Sequence, residues 1–164
     1  MKNPLISIIT VVKNQQIDLD KTSESIAKQN FFDFEWIIQD ASDKKLLISK
    51  KINLQKKNIH HFIESDINLY DGMNKAIERS SGFALIFLNA GDYFYSINAL
   101  KIIANDLKKL KKSDKNFFLL AYSYFDILSK EIKYSRYIEQ CQGFFSYRTP
   151  TIHQATVYSK TCFE

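Results

Sequence analysis

The chain has 164 residues, 45% hydrophobic and 25% charged, with a net charge of +5. These values fit one soluble globular domain with a real core. The N-terminal apolar run "LISIITVV" is too short for a signal-peptide core with a cleavage site, and far too short to span a bilayer. The positive charge lies in scattered lysine pairs (Lys44–Lys45, Lys50–Lys51, Lys56–Lys57, Lys108–Lys109, Lys111–Lys112), arginine is rare, and no nucleic-acid motif is present, which excludes nucleic acid as the favoured partner. A basic surface could still attract an anionic substrate or a lipid headgroup layer. Cys141 and Cys162 make neither a disulfide framework nor a metal-ligand spacing, so the reading is a reduced, cytosolic protein.

In chain order, "PLISIITVVKN" predicts a strand buried on both faces, suited to the middle of a parallel sheet. "DLDKTSESIAKQN" predicts a helix with Leu19, Ile26 and Ala27 inward, and "FEWIIQD" a strand ending at Asp40. "SDKKLLISKKI" predicts a short helix capped by Ser42, and "NIHHFIES" a third strand in which His60 and His61 alternate as structural residues. "LYDGMNKAIERSSG" predicts a helix closed by Gly82, and "FALIFLN" the most apolar strand. "SINALKIIANDLKKLKK" predicts an amphipathic helix with Leu100, Ile103, Leu107 and Leu110 at helical spacing. "NFFLLAYSYFDI" and "EIKYSRYIEQ" predict strands joined by a turn at residues 128–130, and "TIHQATVYS" ends in a further short strand. The first two-thirds thus alternates β and α, which implies a parallel sheet with helices on both faces; the last third is β-rich. The aromatic content, 14%, points to thick packing before an aromatic cleft.

In such a fold ligands bind beyond the carboxyl ends of the strands. Those ends carry Lys13–Asn14, Gln39–Asp40, Glu64–Asp66 and Asn89–Asp92. In "FLNAGDYF" Asp92 could hold Mg²⁺ or Mn²⁺ shared with a diphosphate, or serve only a turn. Asp40 could accept from a ribose or a base edge, or begin the next helix; Asp71 and Asn74, one turn apart, could face a cleft, or Asp71 could cap its helix. His153 is open to readings as a base, a phosphate donor or a core residue. There is no P-loop, no G-x-G-x-x-G after the first strand, no G-x-S-x-G and no H-E-x-x-H, so phosphates would fall to a metal and to side chains.

Taken in order, "PLISIITVVKN", "FEWIIQDAS", "YDGMNKAI", "GFALIFLNAGDYF" and "HQATVYS" resemble the family 2 glycosyltransferases, and look most like the branch that builds bacterial surface polysaccharides, including colanic-acid-type enzymes. The resemblance covers almost the whole chain and is most specific from Tyr70 to Phe94. It implies an α/β fold of the GT-A type: a three-layer αβα sandwich with a mostly parallel central sheet and a β-rich C-terminal part. Residues 1–112 would be the nucleotide-sugar-binding half and residues 113–164 an acceptor-side segment of the same domain. It further implies inverting transfer of a sugar from a UDP-, GDP- or dTDP-sugar to a hydroxyl of a glycan or lipid-linked acceptor. Mn²⁺ or Mg²⁺ would assist, in the cytoplasm or at the inner face of the membrane. By position, Thr10, Val11 and Asn14 would lie by the nucleotide, Asp40 would contact base or ribose, and Asp71 and Asn74 would line the donor pocket. Asn89 to Asp92 would stand at the D-x-D-like motif, with Asp92 the metal ligand and a catalytic residue.

The chain departs from the family's pattern in three places. Gly91 stands where many relatives carry Asp, "ASDKK" replaces a glycine-rich loop after Asp40, and the sequence ends at "SKTCFE", before the acidic motif that supplies the base. His153 is the substitute candidate, ahead of Glu139 and Asp126. Two alternatives accompany the enzyme: a nucleotide-sugar-binding domain without turnover, from a truncated or degenerate relative, and a nucleotidyltransferase on a similar sheet.

Overall fold

The computed structural model describes residues 3–48, 58–112, 119–122, 124–126, 130–133, 138–139 and 155–163. In chain order the elements are β1 (Ile6–Val12), α1 (Gln16–Ala27), β2 (Phe34–Asp40), β3 (Ile59–Ile63), α2 (Leu69–Arg79), β4 (Ala84–Phe87) and α3 (Ala99–Lys112). The short strands β5 (Leu119–Ala121), β6 (Tyr124–Asp126), β7 (Glu131–Lys133) and β8 (Ile138–Glu139) follow, then β9 (Thr156–Ser159) and a 3₁₀ turn, Lys160–Phe163.

One sheet runs in the order β3-β2-β1-β4-β9-β5-β8, and β6 and β7 form a separate antiparallel pair. β3, β2, β1 and β4 are parallel; β9 enters antiparallel between β4 and β5. Every residue of β1 and β2 is buried, because their apolar side chains face both ways and helices cover both faces. On one face Ile6, Ile8, Val12, Trp36, Ile38 and Ile86 meet Leu19 and Ile26 of α1 and Leu100, Ile103 and Leu107 of α3. On the other, Ile9, Val11, Ile37, Leu85 and Phe87 meet Met73 and Ala76 of α2. The result is the expected three-layer αβα sandwich with a β-rich C-terminal part.

Three local expectations are corrected. Residues 42–48, predicted as the start of a helix, are not helical; the remainder of that prediction, residues 49–52, lies outside the described residues. Ser42 caps nothing: its backbone N–H and hydroxyl turn to Asp40, and its oxygen accepts from the Asn14 N–H at 2.7 Å. Gly82 is not the helix C-cap. Helix α2 ends at Ser80 in extended backbone, and Gly82 instead runs so close to β1 that a Cβ there would lie 2.5 Å from Ser7 Oγ and 2.6 Å from Ser7 N. Asp71 is not the N-cap either; Asn68 is, accepting from the N–H groups of Tyr70 (2.9 Å) and Asp71 (3.1 Å). Among the described residues, no helix is long and apolar enough to cross a membrane.

Candidate functional site

Because four neighbouring strands run in parallel, their carboxyl ends meet along one edge. The tip of β1 is flanked on both sides: Ala41 N–H donates to Val12 O (2.9 Å) and Ala90 N–H to Val11 O (3.3 Å). The residues just past β2 and β4 therefore border the end of one strand.

On the β2 side, Asp40 is fully buried. Its Oδ1 accepts from Ser42 N–H (2.9 Å), and its Oδ2 from Leu46 N–H (3.3 Å) and His61 Nε2 (2.9 Å). The Ser42 hydroxyl supplies a further hydrogen bond. Burial pushes the Asp40 carboxyl up, but these hydrogen bonds outweigh it and hold the carboxyl below its ordinary value. The carboxylate is thus ionised and surrounded by donors from its own chain. Around it, Asn14 sits in the left-handed region (φ 57°), which asparagine tolerates; its side chain donates to the Asp43 carboxylate (2.9 Å) and accepts from the Asp43 N–H (3.1 Å). Gln16 grips both backbone groups of Leu47 at 2.8 Å. Local hydrogen bonding to side chains has replaced the helix predicted here.

On the β4 side, the tip 89–92 is pinned to α1. Thr22 Oγ1 accepts from Gly91 N–H (3.0 Å) and lies 2.7 Å from Asp92 O, while Gly91 N–H also reaches Asp18 O (3.3 Å). Gly91 has φ 99°, backbone that a glycine adopts without strain, which accounts for a glycine here. Burial pushes the Asp92 carboxyl up, with a hydrogen bond from the Asn89 backbone pulling weakly the other way. Asn89 Oδ1 is buried and has no hydrogen-bond partner; it is the one such side-chain atom among the described residues.

The start of α2 closes a third side. Asp71 accepts from Ile67 N–H (3.0 Å), which, with Lys75 at 3.2 Å, holds its carboxyl below its ordinary value. Lys75 also reaches Glu64 (3.4 Å), and Arg79 binds Gln39 and Glu64 and lies over the Phe62 ring. Asn74 is exposed one turn beyond Asp71. A Cβ on Gly72 would come within 2.8 Å of Asp66 Oδ2 and 2.9 Å of Val11 Cγ1, so α2 abuts the β1 tip through its glycine.

Thr10 is fully buried in the sheet, its hydroxyl donating to Leu88 O (2.7 Å) and accepting from Trp36 Nε1 (2.9 Å). It ties three strands together and faces no ligand space with its side chain. A hollow of about 420 Å³ opens beside the tip, between α1 and residues 93–97. Its inner polar groups already serve the chain: Ser25 Oγ accepts from Phe94 N–H (3.2 Å) and Gln29 Oε1 from Leu100 N–H (3.0 Å). It lacks an unpaired buried group such as Asn89 Oδ1.

No protein-family model matches the chain. Over 118 residues, 70% of its length, it is 32% identical to proteins named PGL/p-HBAD biosynthesis glycosyltransferase in Mycobacterium bovis and Mycobacterium tuberculosis. The chain spans about half the length of these curated relatives, 46% being matched. In fold it matches a crystal structure of S. aureus TarS 1–349 in complex with UDP, at TM-score 0.67 and 17% identity, over 95% of this chain and 47% of that one. The mannosyltransferase PcManGT from Pyrobaculum calidifontis, in complex with GDP-Man and Mn²⁺, matches at TM-score 0.53 and 13% identity, over 74% of this chain and 36% of that one. In sequence the chain is similar to these named glycosyltransferases, and in fold to these solved structures.

Its sheet and helices have the GT-A-like arrangement of those neighbours. Among the sequence-predicted residues, Val11, Asn14, Asp40, Asn89 and Asp92 lie at the strand tips, Asp71 and Asn74 at the start of α2, and Thr10 inside the sheet. His153 lies outside the described residues. Among the described residues, no group of three His, Cys, Asp or Glu side chains could hold a metal by itself. The donor set at the β4 tip is the Asp92 carboxyl and the unpartnered Asn89 Oδ1, oxygen ligands that suit a hard divalent cation completed by phosphate oxygens. Sequence reasoning missed Gln16, Ser42 and His61. For His61 a signal existed: it pairs in register with Ile38, which places it on the same sheet face as Asp40, two residues further on.

Proposed function

We propose that the chain carries the donor-binding part of an inverting glycosyltransferase, which moves a sugar from a UDP-, GDP- or dTDP-sugar to an acceptor hydroxyl with the aid of Mn²⁺ or Mg²⁺. One observation carries the reading: Asn89 Oδ1 is buried without a partner, in the same tip as an Asp92 carboxyl that burial pushes up. An unpaired buried acceptor costs about 1–3 kcal/mol. A ligand removes that cost by bringing a cation or a hydroxyl to it. The nucleotides and nucleotide sugars held by the structural neighbours, UDP, UDP-GlcNAc and GDP-Man, support a sugar donor as that ligand.

In this reading Asn89 and Asp92 would hold the cation, and Thr22 keeps their backbone fixed. Bound there, the cation would offset the charge that develops on the departing diphosphate. Val11 and Asn14 would border the nucleotide, and Asp71 and Asn74 the donor pocket from the start of α2. The acceptor oxygen bonds to the anomeric carbon as the bond to the diphosphate breaks, and the electron pair leaves with the diphosphate. The acceptor's proton passes to a general base, for which His153 is the candidate. A glycan or lipid-linked acceptor, a place at the inner membrane face and a product in the surface polysaccharides of the colanic-acid-type branch follow from the sequence resemblance.

A thermal-shift panel of UDP, GDP and dTDP, with and without Mn²⁺, tests the reading. A nucleotide at a hundredfold excess over Kd adds about 2.7 kcal/mol of stability, an upward shift of about 5–10 °C for a domain this size. A cation-dependent shift for one nucleotide, lost in Asp92→Asn, is expected. No shift with any of the three overturns the reading, and binding without donor hydrolysis or transfer reduces it to a binding module.

A further inference from the structure

We propose that His61 is a positioning residue: through Asp40 it fixes residues 41–47, the segment walling the proposed donor site, and so sets donor affinity without touching the donor. Only the second half of that statement rests on the donor-site reading.

The geometry is a chain of hydrogen bonds across three strand tips. Past β1, the Asn14 N–H donates to Ser42 Oγ at 2.7 Å. Ser42 in turn donates to Asp40, the last residue of β2, through its hydroxyl and through its N–H at 2.9 Å. From β3, the edge strand, His61 Nε2 closes on Asp40 Oδ2 at 2.9 Å. An ionised carboxylate only accepts, so the proton of this bond belongs to His61 Nε2. Three donors, the Ser42 N–H, the Leu46 N–H and His61, engage both oxygens of the carboxylate. Its place in the site is to hold two loop amides, four residues apart, around one buried charge.

His61 is the only one of these donors that comes from outside the loop itself. It sits with 12% of its side chain exposed, so its bond to Asp40 is shielded from competing water. Without it, Oδ2 keeps only the longer Leu46 contact at 3.3 Å. The carboxylate is then free to rotate away, and Ser42 and Leu46 lose a common anchor. Because Ser42 also receives Asn14 and precedes Asp43, which Asn14 grips from the other side, loosening reaches the β1 tip.

The test uses the full chain and two readouts: amide hydrogen exchange by NMR, and UDP affinity by calorimetry in the presence of Mn²⁺. In His61→Ala the Ser42 and Leu46 amides should exchange about tenfold faster or more, the loss expected of a charge-assisted hydrogen bond, while the amides of β1 stay unchanged. His61→Gln places an N–H at the reach of Nε2 and should restore protection; His61→Asn, one bond shorter, should not. UDP affinity should fall in Ala and Asn and return in Gln. In an Asp40→Asn background, His61→Ala should add nothing. If Ala does not fold, the contrast of Gln with Asn carries the same test. Unchanged Ser42 and Leu46 exchange in Ala and Asn, or a Gln as loose as Ala, overturns the positioning role. A loosened loop that leaves UDP affinity intact overturns its effect on the donor. Loosening in a protein that binds no nucleotide even as wild type overturns the donor-site reading and leaves the positioning role standing.

Discussion

Thr10→Val removes one oxygen from the interior of the sheet and leaves the shape of the side chain nearly intact. The hydroxyl it removes is fully buried, donates to Leu88 O at 2.7 Å and accepts from Trp36 Nε1 at 2.9 Å. Both partners stay where they are: Leu88 is fixed by its own N–H to Ile9 O (2.8 Å), and the Trp36 indole is wedged in the core. Each loses a partner in a site water does not reach, at about 1–3 kcal/mol for a stranded group. The expected cost is about 2–6 kcal/mol in all, a fall in melting temperature of about 4–24 °C for a domain of this size. The chain has one tryptophan, so its fluorescence reports the environment of Trp36 alone. Urea titration followed at that wavelength should show an earlier midpoint with an unchanged slope. Adding Trp36→Phe removes the stranded indole N–H, so the double variant, followed by circular dichroism because it has no tryptophan, should lose less than the two single losses summed. A Thr10→Val protein within about 0.5 kcal/mol of wild type, the range of an ordinary surface change, would refute the bridge between the strands.

Further expectations follow from other sites. Gly82→Ala puts a Cβ against Ser7 and Ile6 backbone that cannot move aside, at 2.6 Å from Ser7 N and 2.9 Å from Ile6 C, and should cost about 1–3 kcal/mol by chemical denaturation, since overpacking against backbone finds no relief. Asp40 has its carboxyl lowered in the fold, so its contribution is fully present above its unfolded value near pH 4 and is lost as the pH drops through the lower folded value. Asp40→Asn should therefore be less stable than wild type at pH 7 and converge toward it in strong acid. Asp92 is shifted the other way, so its ionised form weakens the fold at neutral pH, and the penalty fades as the pH falls toward the raised value. Asp92→Asn should melt no lower than wild type at pH 7 while losing cation-dependent UDP binding; a clear drop in melting temperature would mean that the hydrogen bond from the Asn89 backbone outweighs the burial of the charge.

Strands β1 and β2 were legible because their pattern is local. A continuous β-branched run must be covered on both faces whatever surrounds it, and "FEWIIQD" matches β2 residue for residue. Helix α3 was legible for the same reason, with Leu100, Ile103 and Leu107 on one stripe. The segment after Asp40 was not. "SDKKLLISKKI" has a capping serine and helical spacing, but its backbone groups are held by Asn14 and Gln16, 28 to 31 positions earlier in the chain. Nothing in a window of ten residues encodes that. The place of β9 was hidden in the same way: a strand near the end of the chain enters the sheet beside β4, some seventy residues earlier. For the candidate site, the rule of strand ends pointed to Asp40, Asn89 and Asp92, which stand at or just past the ends of β2 and β4. It could not tell a carboxylate with donors on both oxygens from one without, because that depends on which amides the loop turns inward.

That difference decides how the strand tips are divided. On the β2 side both oxygens of Asp40 have donors from the chain, and the result is a defined loop. On the β4 side Asn89 Oδ1 has none, and Asp92 is held where its charge is disfavoured, although the turn that carries both is fixed by Thr22 and Asp18. A flexible tip would swing these oxygens into water and relieve both penalties. A rigid tip cannot, so it keeps a buried unpaired oxygen on Asn89 and a carboxyl on Asp92 whose charge burial disfavours. The chain's excess lysines do not answer that need: five of them stand on α3, which packs on the sheet by its apolar stripe and turns Lys101, Lys108, Lys109, Lys111 and Lys112 to solvent. At long range the net charge of +5 favours approach of an anionic donor, but at the tip a diphosphate meets oxygen with oxygen. Under the proposed reading a cation between them would turn that repulsion into attraction, so cation-dependent nucleotide binding is the property that tests the donor site.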